Sequence, residues 1–265
     1  MRRQLILWIL MIGGVCVKAQ TPLVYVGHAH NDYQQKRPLK GALENGFLSI
    51  EIDVFLKNGK LKVAHVPLFL GCKKTLEEMY LNPLQERIAS NGGTVYKGDS
   101  TSLILMIDFK SPAEKIFPVL DSILRSFPDL FTKWENNMKT WGPLTIMNSG
   151  KKARKVLTSA TSRNMVIDGN LRSGDMLGDQ TVFQRVSANF TTEFTWNGEG
   201  EMSRAERQKL QNLVNEAHAN GKTIRFWKTK DQPAVWKVLL DAGVDWINVD
   251  YLSKFRTFYL DYTDD

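Results

Sequence analysis

The stretch Ser49-Ile50-Glu51-Ile52-Asp53-Val54 decides the fold. Side chains on a β-strand alternate between two faces, so Glu51 and Asp53 share one face while the two isoleucines and the valine share the other. Three β-branched residues on one face are typical of a strand that helices cover. Two carboxylates on the opposite face repel each other, and a hard divalent cation with oxygen ligands would relieve that repulsion. An edge strand with both acids in solvent is the alternative interpretation.

This strand is one of eight apolar, β-rich runs that alternate with amphipathic stretches. The predicted strands are Val24–His28, Ser49–Leu56, Leu103–Lys110, Leu144–Asn148, Met165–Asp168, Phe183–Ala188, Thr223–Trp227 and Trp246–Asp250. The predicted helices are Thr75–Ala89, Pro112–Phe127, Lys151–Ser159, Arg204–Ala219 and Pro233–Ala242. Strands with helical crossovers and no glycine-rich phosphate loop predict an α/β fold, a (β/α)8 TIM barrel, in one domain over residues 20–265.

Two places depart from a regular alternation of strands and helices. Few helix-forming residues lie between Asp168 and Arg204, so we expect a degraded helix, a long loop or a missing crossover there. A doubly wound open sheet is the alternative architecture. The first long helix starts with a capping box, Thr75 with Glu78, and Pro83 must kink or break it.

An N-terminal leader is predicted over residues 1–19. Arg2 and Arg3 precede an apolar run from Leu5 to Val17, and Ala19 ends a pattern typical of signal-peptide cleavage. The run is shorter than the roughly 20 residues that a membrane-spanning helix needs. We therefore expect a secreted or periplasmic protein after cleavage near Ala19.

Charge and cysteine content limit the classes of function. Loss of Arg2, Arg3 and Lys18 with the leader would lower the formal net charge from +7 to +4. No dense basic block remains, so we expect no nucleic-acid partner, whereas a mildly basic surface suits an anionic phosphodiester, a lipid headgroup or peripheral contact with a membrane surface. The one cysteine that follows the leader, Cys72, predicts a domain without a disulfide, and we expect it to be buried in apolar surroundings. We expect a monomer.

The predicted strand Leu103–Lys110 repeats the pattern of Ser49–Val54. In Leu105-Met106-Ile107-Asp108-Phe109-Lys110, Asp108 and Lys110 share one face. A structural ion pair is the alternative, but the C-terminal ends of the strands are where barrel enzymes build their sites. Glu51, Asp53, Asp108, a divalent ion and Lys110 together carry no net charge, so such a site accepts a phosphodiester monoanion.

Histidine supplies the proton chemistry. His28 ends the first strand and His65 ends the run Leu61–His65, so both lie where the carboxylates do. Two imidazoles serve as base and acid for attack on phosphorus and protonation of the leaving group. For each, a hydrogen-bonded core histidine is the alternative.

Two other classes of function compete with a phosphodiesterase. The pair His28-Ala29-His30 is how amidohydrolase barrels begin a metal site, but those sites need further histidines, and after His65 only His218 is left, on a predicted helix. A non-catalytic barrel that binds a lipid or sugar phosphate is the other class. Asn148, Asp168, Arg185 and Arg225 lie in strand-like runs, and they either face the barrel mouth or form structural pairs.

Taken jointly, these motifs resemble the superfamily of glycerophosphodiester phosphodiesterases and phosphatidylinositol-phospholipase-C-like enzymes. The residues that carry the resemblance are Gly27-His28, Ser49–Asp53, His65 and Asp108-Phe109-Lys110. The Asp-x-Lys pair and Trp227 with Leu240–Asp245 are similar to the sphingomyelinase D branch. The stretches His28–Tyr33, Pro38-Leu39, Ala42-Leu43 and Tyr80–Leu84 are similar to the fungal altered-inheritance-of-mitochondria branch.

The resemblance implies a metal-dependent phosphoric diester hydrolase with one Mg²⁺ or Ca²⁺ held by Glu51, Asp53 and Asp108. It implies that His28 is the base or nucleophile, that His65 is the acid, and that Lys110 contacts phosphate or a metal ligand. The predicted substrate-binding residues are His30, Asn31, Asn148, Arg225 and Trp227, and the expected substrate is a glycerophosphodiester or a phospholipid-type diester. Lys230 and Asp250 differ from the residues that enzymes of the sphingomyelinase D branch have near these positions. Choline specificity is therefore not expected to carry over.

Overall fold

The structure, a computed structural model, describes residues 21–136 and 138–264, and the predicted leader over residues 1–19 lies outside them. The strands are β1 (Val24–Ala29), β2 (Phe47–Lys57), β3 (Lys60–Val63), β4 (Leu103–Phe109), β5 (Lys133–Glu135), β6 (Met138–Thr140), β7 (Leu144–Gly150), β8 (Ser162–Arg163), β9 (Met165–Asn170), β10 (Phe183–Asn189), β11 (Thr223–Trp227) and β12 (Trp246–Val249). The helices are α1 (Lys40–Glu44), α2 (Asn82–Ser90), α3 (Ala113–Arg125), α4 (Arg154–Ser159), α5 (Phe190–Glu193), α6 (Arg204–Ala219), α7 (Pro233–Asp241) and α8 (Leu252–Asp264).

Eight parallel strands close into a barrel. Their order is β1-β12-β11-β10-β9-β7-β4-β2, and β2 pairs with β1 to complete the circle. The predicted (β/α)8 barrel is thus confirmed, and the alternative of an open doubly wound sheet is wrong. All eight predicted strands are present, with ends that differ by at most two residues from those expected.

Strand β2 shows why the sequence folds this way. Ile50, Ile52 and Val54 are fully buried on the outer face and belong to the large core between barrel and helices. The register pairs Asp53 of β2 with Asp108 of β4, so carboxylates from neighbouring strands lie side by side inside the barrel. A small apolar cluster joins Met106, Met147 and Val166 of barrel strands β4, β7 and β9 to Trp134 of β5. The buried guanidinium of Arg185 lies against Met106 and donates to Ser49, so a cation also lies inside the barrel near the carboxylates.

The crossover between Asp168 and Arg204 is reduced, as expected. A single 3₁₀ turn over Asp175–Leu177 connects β9 to β10, and the short helix α5 precedes a loop that leads to α6. Arg154 of α4 pairs with Asp175 and stabilises the 3₁₀ turn.

The predicted first helix is divided. Thr75 and Glu78 form the expected capping box, in which Glu78 N donates to Thr75 Oγ1 at 3.2 Å and Thr75 N donates to Glu78 Oε2 at 2.7 Å. A π-helical turn over Glu77–Leu81 follows, and α2 begins at Asn82 with Pro83 in its first turn. Proline is tolerated there because the first helical N–H groups have no partner within the helix.

Several features were not predicted. Strands β5, β6 and β8 form a separate small sheet, and α8 packs Phe255 against Phe47 at the C-terminal end of the chain. Cys72 is exposed, so the expectation that it is buried is wrong, because it lies in a 3₁₀ turn of the loop that follows β3. Among the described residues, no helix is long and apolar enough to span a bilayer.

Candidate active site

Three carboxylates form the centre of the site. Glu51 and Asp53 project from β2 and Asp108 from β4, and one oxygen of each lies within 4.8 Å of the others. Asp53 is completely buried, and within the described ranges its Oδ1 has no hydrogen-bond partner. Three clustered hard oxygen donors, one of them buried without a partner, fit a divalent cation such as Mg²⁺ or Ca²⁺.

Lys110 pairs with two of these carboxylates. Its Nζ lies 2.8 Å from Asp108 Oδ1 and 3.1 Å from Asp53 Oδ2. Burial alone lowers the pKa of Lys110, but the hydrogen bond and charge of Asp108 outweigh burial and raise it, so the ammonium stays charged. Burial raises the pKa of Asp53 in spite of the hydrogen bond from Tyr33 and the charge of Lys110. The site therefore contains negative charge that its own cations neutralise only in part.

Glu51 links His28 to Arg225. Its Oε2 lies 3.0 Å from His28 Nε2 and 3.1 Å from Arg225 NH1. Burial alone raises the pKa of Glu51, but the His28 hydrogen bond and the Arg225 charge outweigh it and lower the pKa below its usual value. Burial and the nearby Arg225 hold the pKa of His28 well below its usual value, so this imidazole is neutral at neutral pH.

Ser49 contacts the other nitrogen of His28. Ser49 Oγ lies 2.7 Å from His28 Nδ1, and Arg185 NH2 donates to the same hydroxyl at 3.3 Å. Because Glu51 is ionised and accepts at Nε2, the neutral imidazole carries its proton on Nε2, and Ser49 donates to Nδ1. A hydroxyl also accepts hydrogen bonds, so Ser49 can equally accept from Nδ1–H in the other tautomer, in which Nε2 carries the lone pair.

His65 is positioned by Asp53 and Tyr33. His65 Nδ1 lies 3.0 Å from Asp53 Oδ2 and 3.1 Å from the Tyr33 hydroxyl, which donates to Asp53 Oδ2 at 2.7 Å. Burial raises the pKa of Tyr33, so its phenol remains a donor. The side chain of His65 is 56% exposed, whereas His28 is fully buried, so His65 Nε2 is the nitrogen that faces an incoming ligand.

A cavity of about 380 Å³ opens beside the carboxylates. Its lining includes the charged residues His30, Glu51, Asp108, Lys110, Lys152, Asp168 and Arg225, together with Trp227. Arg225 contacts Asp168 at 3.5 Å as well as Glu51, and Ser187 donates to Asp168 at 2.6 Å. The cavity thus combines anchored carboxylates with cationic groups, which suits a ligand that carries both a phosphate and hydroxyl groups.

Asn148 corrects one of the predictions. Its side chain is fully buried, and it donates to the Ser149 carbonyl at 2.8 Å and accepts from Ala153 N at 2.8 Å. Alternation along β7 points Asn148 outward and Ser149 inward. Ser149 lines the cavity and donates to Asp108 Oδ2 at 3.0 Å, so it occupies the place that we had predicted for Asn148.

His30 and Asn31 lie at the rim. His30 Nδ1 contacts Asp250 Oδ1 at 2.8 Å, and Asn31, which has a left-handed backbone conformation with φ 46°, contacts His30 Nε2 at 3.0 Å. Burial lowers the pKa of His30, but the Asp250 hydrogen bond outweighs it and raises the pKa. His30 lines the cavity directly, and Asn31 reaches it through His30 and Tyr33.

Besides Ser149, the residues that sequence analysis missed are Tyr33, Ser49, Lys152 and Ser187. Ser49 and Ser187 stand two positions from a predicted inward residue, so strand alternation would have identified both. Lys152 lies two residues beyond β7 and Tyr33 in a 3₁₀ turn after β1, where alternation gives no information. Burial lowers the pKa of Lys152, consistent with its place in the cavity wall.

Comparison with known proteins identifies a family and relatives of this chain. A family model described as an AIM6-like phosphodiesterase domain matches residues 19–168. The altered inheritance of mitochondria protein 6 homolog of Arthroderma benhamiae is 26% identical over 262 residues, which cover 88% of this chain and 83% of that protein. Altered inheritance of mitochondria protein 6 of Eremothecium gossypii is also 26% identical, over 89% of this chain and 70% of that protein.

Solved structures share the fold. A glycerophosphodiester phosphodiesterase from Parabacteroides distasonis superposes with a TM-score of 0.53 at 14% identity, covering 89% of this chain and 97% of that one. A phosphodiesterase from Oleispira antarctica, in complex with the product sn-glycerol-3-phosphate, gives a TM-score of 0.54 at 13% identity over 90% of this chain and 97% of that one. At these identities the structural likeness establishes the barrel.

Proposed function

The chain belongs to the AIM6-like phosphodiesterase domain family, and from that premise we propose that it is a metal-dependent phosphoric diester hydrolase of glycerophosphodiester or phospholipid-type substrates. The observation that carries the proposal is the placement of two histidines on either side of one carboxylate cluster: His28 contacts Glu51, and His65 contacts Asp53. A binding barrel has no need for two such imidazoles, whereas cleavage of a diester needs a base and an acid.

Glu51, Asp53 and Asp108 would hold one Mg²⁺ or Ca²⁺. When bound, the cation would stabilise negative charge on a non-bridging phosphate oxygen. Lys110 and Arg225 already hold these carboxylates by ion pairs and so keep them in place before any ligand arrives. Charged groups that are fixed before the substrate binds stabilise the transition state without a cost of reorganisation.

His28 would act as base. With Glu51 engaged by the cation instead of by His28 Nε2, the imidazole would carry its proton on Nδ1 with Ser49 as acceptor, and the Nε2 lone pair would take a proton from the attacking hydroxyl group. That group is either water, which gives a phosphomonoester and an alcohol, or a neighbouring hydroxyl of the substrate, which gives a cyclic diester and an alcohol. The low pKa of His28 keeps it neutral and ready to accept the proton.

His65 would act as acid. Its Nε2–H would protonate the departing oxygen as the P–O bond breaks, while Asp53 and Tyr33 keep the ring oriented through Nδ1. His30, Arg225 and Trp227 would contact the substrate on the side of the 380 Å³ cavity, and Asn31 would orient His30.

The test is turnover of a panel of phosphodiesters by the mature protein, followed by phosphorus NMR with Mg²⁺, with Ca²⁺ and with chelator. We expect loss of one diester signal that depends on the cation. His28→Ala and His65→Ala should each lower kcat by roughly 10²–10⁴-fold, the usual contribution of acid or base catalysis. His218→Ala is the matched control, since His218 lies on α6 and pairs with Asp245, away from the site. Full activity of both site variants would remove these histidines from the mechanism.

We also propose that the protein is secreted or periplasmic, that it is a monomer, and that residues 1–19 are removed. The pattern Arg2-Arg3, Leu5–Val17 and Ala19 supports the removal. Intact-mass measurement on the exported protein tests it, and a chain that retains Met1 after export would contradict it. Sedimentation velocity tests the oligomeric state.

A further inference from the structure

A second cavity lies against His65. It measures about 620 Å³ and is formed under the loop that follows β3. Tyr33 and His65 line it, so it begins where the carboxylate cluster ends. A volume in the range of about 300–1,000 Å³ is typical of ligand pockets.

The wall of this cavity is more apolar than that of the 380 Å³ cavity, and six of its twelve lining residues are apolar. Its apolar lining residues are Val63, Ala64, Val66, Leu68, Phe69 and Met79. Leu68 is 61% exposed and Phe69 is 83% exposed, which are large apolar areas to leave in water. Lys73 and Lys74 also line it. The site is thus more apolar on the side of His65 than on the side of Trp227.

The apolar rim of this cavity is exposed at Val66, Leu68 and Phe69. Within the described residues, Leu68 and Phe69 belong to neither of the buried apolar clusters. Phe69 also has a left-handed backbone with φ 53°, an uncommon conformation for a bulky residue, and it precedes the 3₁₀ turn Leu70–Cys72. The chain therefore holds an aromatic ring outward at the rim next to a proposed proton donor.

We infer that this cavity binds the hydrocarbon chain of an amphiphilic phosphodiester, so that one alcohol of the substrate carries an alkyl or acyl chain and the other is polar. The inference rests on the proposed function and specifies its substrate class. The phosphate lies at the carboxylate cluster, the chain lies along Val66, Leu68 and Phe69, and the polar alcohol lies in the cavity with Lys152 and Trp227. Tyr33 and His65, which line this cavity, both contact Asp53, and Asp53 pairs with Lys110 of the 380 Å³ cavity, so the two cavities meet the same carboxylate cluster.

The test compares diesters that share a headgroup and differ only in the chain. We expect kcat/KM to rise from glycerophosphocholine to monomeric lysophosphatidylcholines of increasing length, by about fourfold for each methylene that is buried. The rise should level off once the cavity is filled. A kcat/KM that is independent of chain length would overturn the inference even if the diesters are cleaved.

Variants of the loop that follows β3 test whether its residues cause the dependence of kcat/KM on chain length. Leu68→Ser and Phe69→Ser should each lower the ratio of kcat/KM on the long-chain diester to that on the chain-free diester by about tenfold, because each removes apolar contact with the chain. Met138→Ser is the matched control, since Met138 is 72% exposed in β6 of the separate small sheet, and it should leave the ratio unchanged. An equal fall in the ratio in all three variants would contradict a chain site at this loop.

Direct binding separates failure of this inference from failure of the proposed function. Dodecylphosphocholine, kept below its micelle concentration, is titrated into the wild-type protein and into Phe69→Ser by calorimetry. Binding that weakens about tenfold in the variant supports the chain site whether or not any diester is cleaved. Absence of binding by the wild-type protein overturns it, and cleavage of glycerophosphocholine alone would then leave the proposed function standing.

Discussion

Replacement of Lys110 by methionine should make the stability of the protein depend on a divalent cation. Lys110 Nζ contacts Asp53 Oδ2 at 3.1 Å and Asp108 Oδ1 at 2.8 Å. Methionine keeps most of the length of the side chain but removes the charge. Asp53, which is fully buried, then keeps only the neutral Tyr33 hydroxyl and His65 as partners and faces Asp108 across the two strands.

The expected cost follows from burial. Loss of one partner of a fully buried ion pair costs about 3–5 kcal/mol, whereas an exposed pair contributes about 0–1 kcal/mol. The side chain of Lys110 is 27% exposed and that of Asp108 is 15% exposed, so water screens part of the interaction. We therefore expect a loss of about 2–3 kcal/mol, which corresponds to a fall in Tm of roughly 4–12 °C for a chain of this size.

A cation should restore this loss. A ligand at one hundred times its Kd stabilises the folded state by about 2.7 kcal/mol, which is close to the expected loss. In thermal melts at pH 8, where carboxylates ionise, Lys110→Met should be less stable than the wild type in chelator and gain more from Mg²⁺ or Ca²⁺ than the wild type does. Lys151→Met is the control, since Lys151 is exposed next to α4. An equal loss of Tm in chelator and in cation would refute the view that Lys110 and a cation stabilise the same carboxylates.

Three further changes test other parts of the site. Ser49→Ala should lower kcat by about tenfold or more with little change in KM, because His28 loses its Nδ1 partner, and Ser49→Thr should restore the rate because it keeps the hydroxyl. Lys152→Met should raise KM for a diester by about 10–100-fold in steady-state kinetics, the value of a charge-assisted hydrogen bond to phosphate; an unchanged KM would show that Lys152 does not contact the substrate. Burial raises the pKa of Asp32 to about 6 although Tyr80 donates to it. Because the folded state favours the protonated carboxyl, the free energy of unfolding should fall by up to about 3 kcal/mol as pH rises from 4 to 6. Denaturant titrations across this range should show that Asp32→Asn lacks this loss, and a variant with the wild-type pH dependence would assign the effect to other groups.

The barrel was predictable because two simple periodicities describe most of it. Alternation in β2 separated Ile50 and Ile52 from Glu51 and Asp53, and the structure places the first pair in the outer core and the second inside the barrel. The small sheet of β5, β6 and β8 was not predictable from the same periodicity, since each strand has only two or three residues. Alternation needs a longer run than that to rise above chance.

The predicted site residues came together to different extents. Predictions for residues on barrel strands were reliable because the strand register fixes the positions of their side chains. Asp53 and Asp108, which the register pairs, are the best example. Asn148 shows the limit, because a shift of one position moves a side chain to the other face of β7, and Ser149 is the inward residue. Lys152 and Tyr33 were missed because they lie on turns whose direction depends on tertiary packing.

The charges of the cavity place a condition on what binds there. Four carboxylates and four cationic side chains lie in or around it: Glu51, Asp53, Asp108 and Asp168 with Lys110, Lys152, Arg185 and Arg225. With the imidazoles left out of the count, this set carries no net charge. One divalent cation would make the set positive by two charges, of which a diester monoanion neutralises one. A phosphomonoester dianion would neutralise both, so a linear monoester product should bind more tightly than a cyclic diester of the same alcohol.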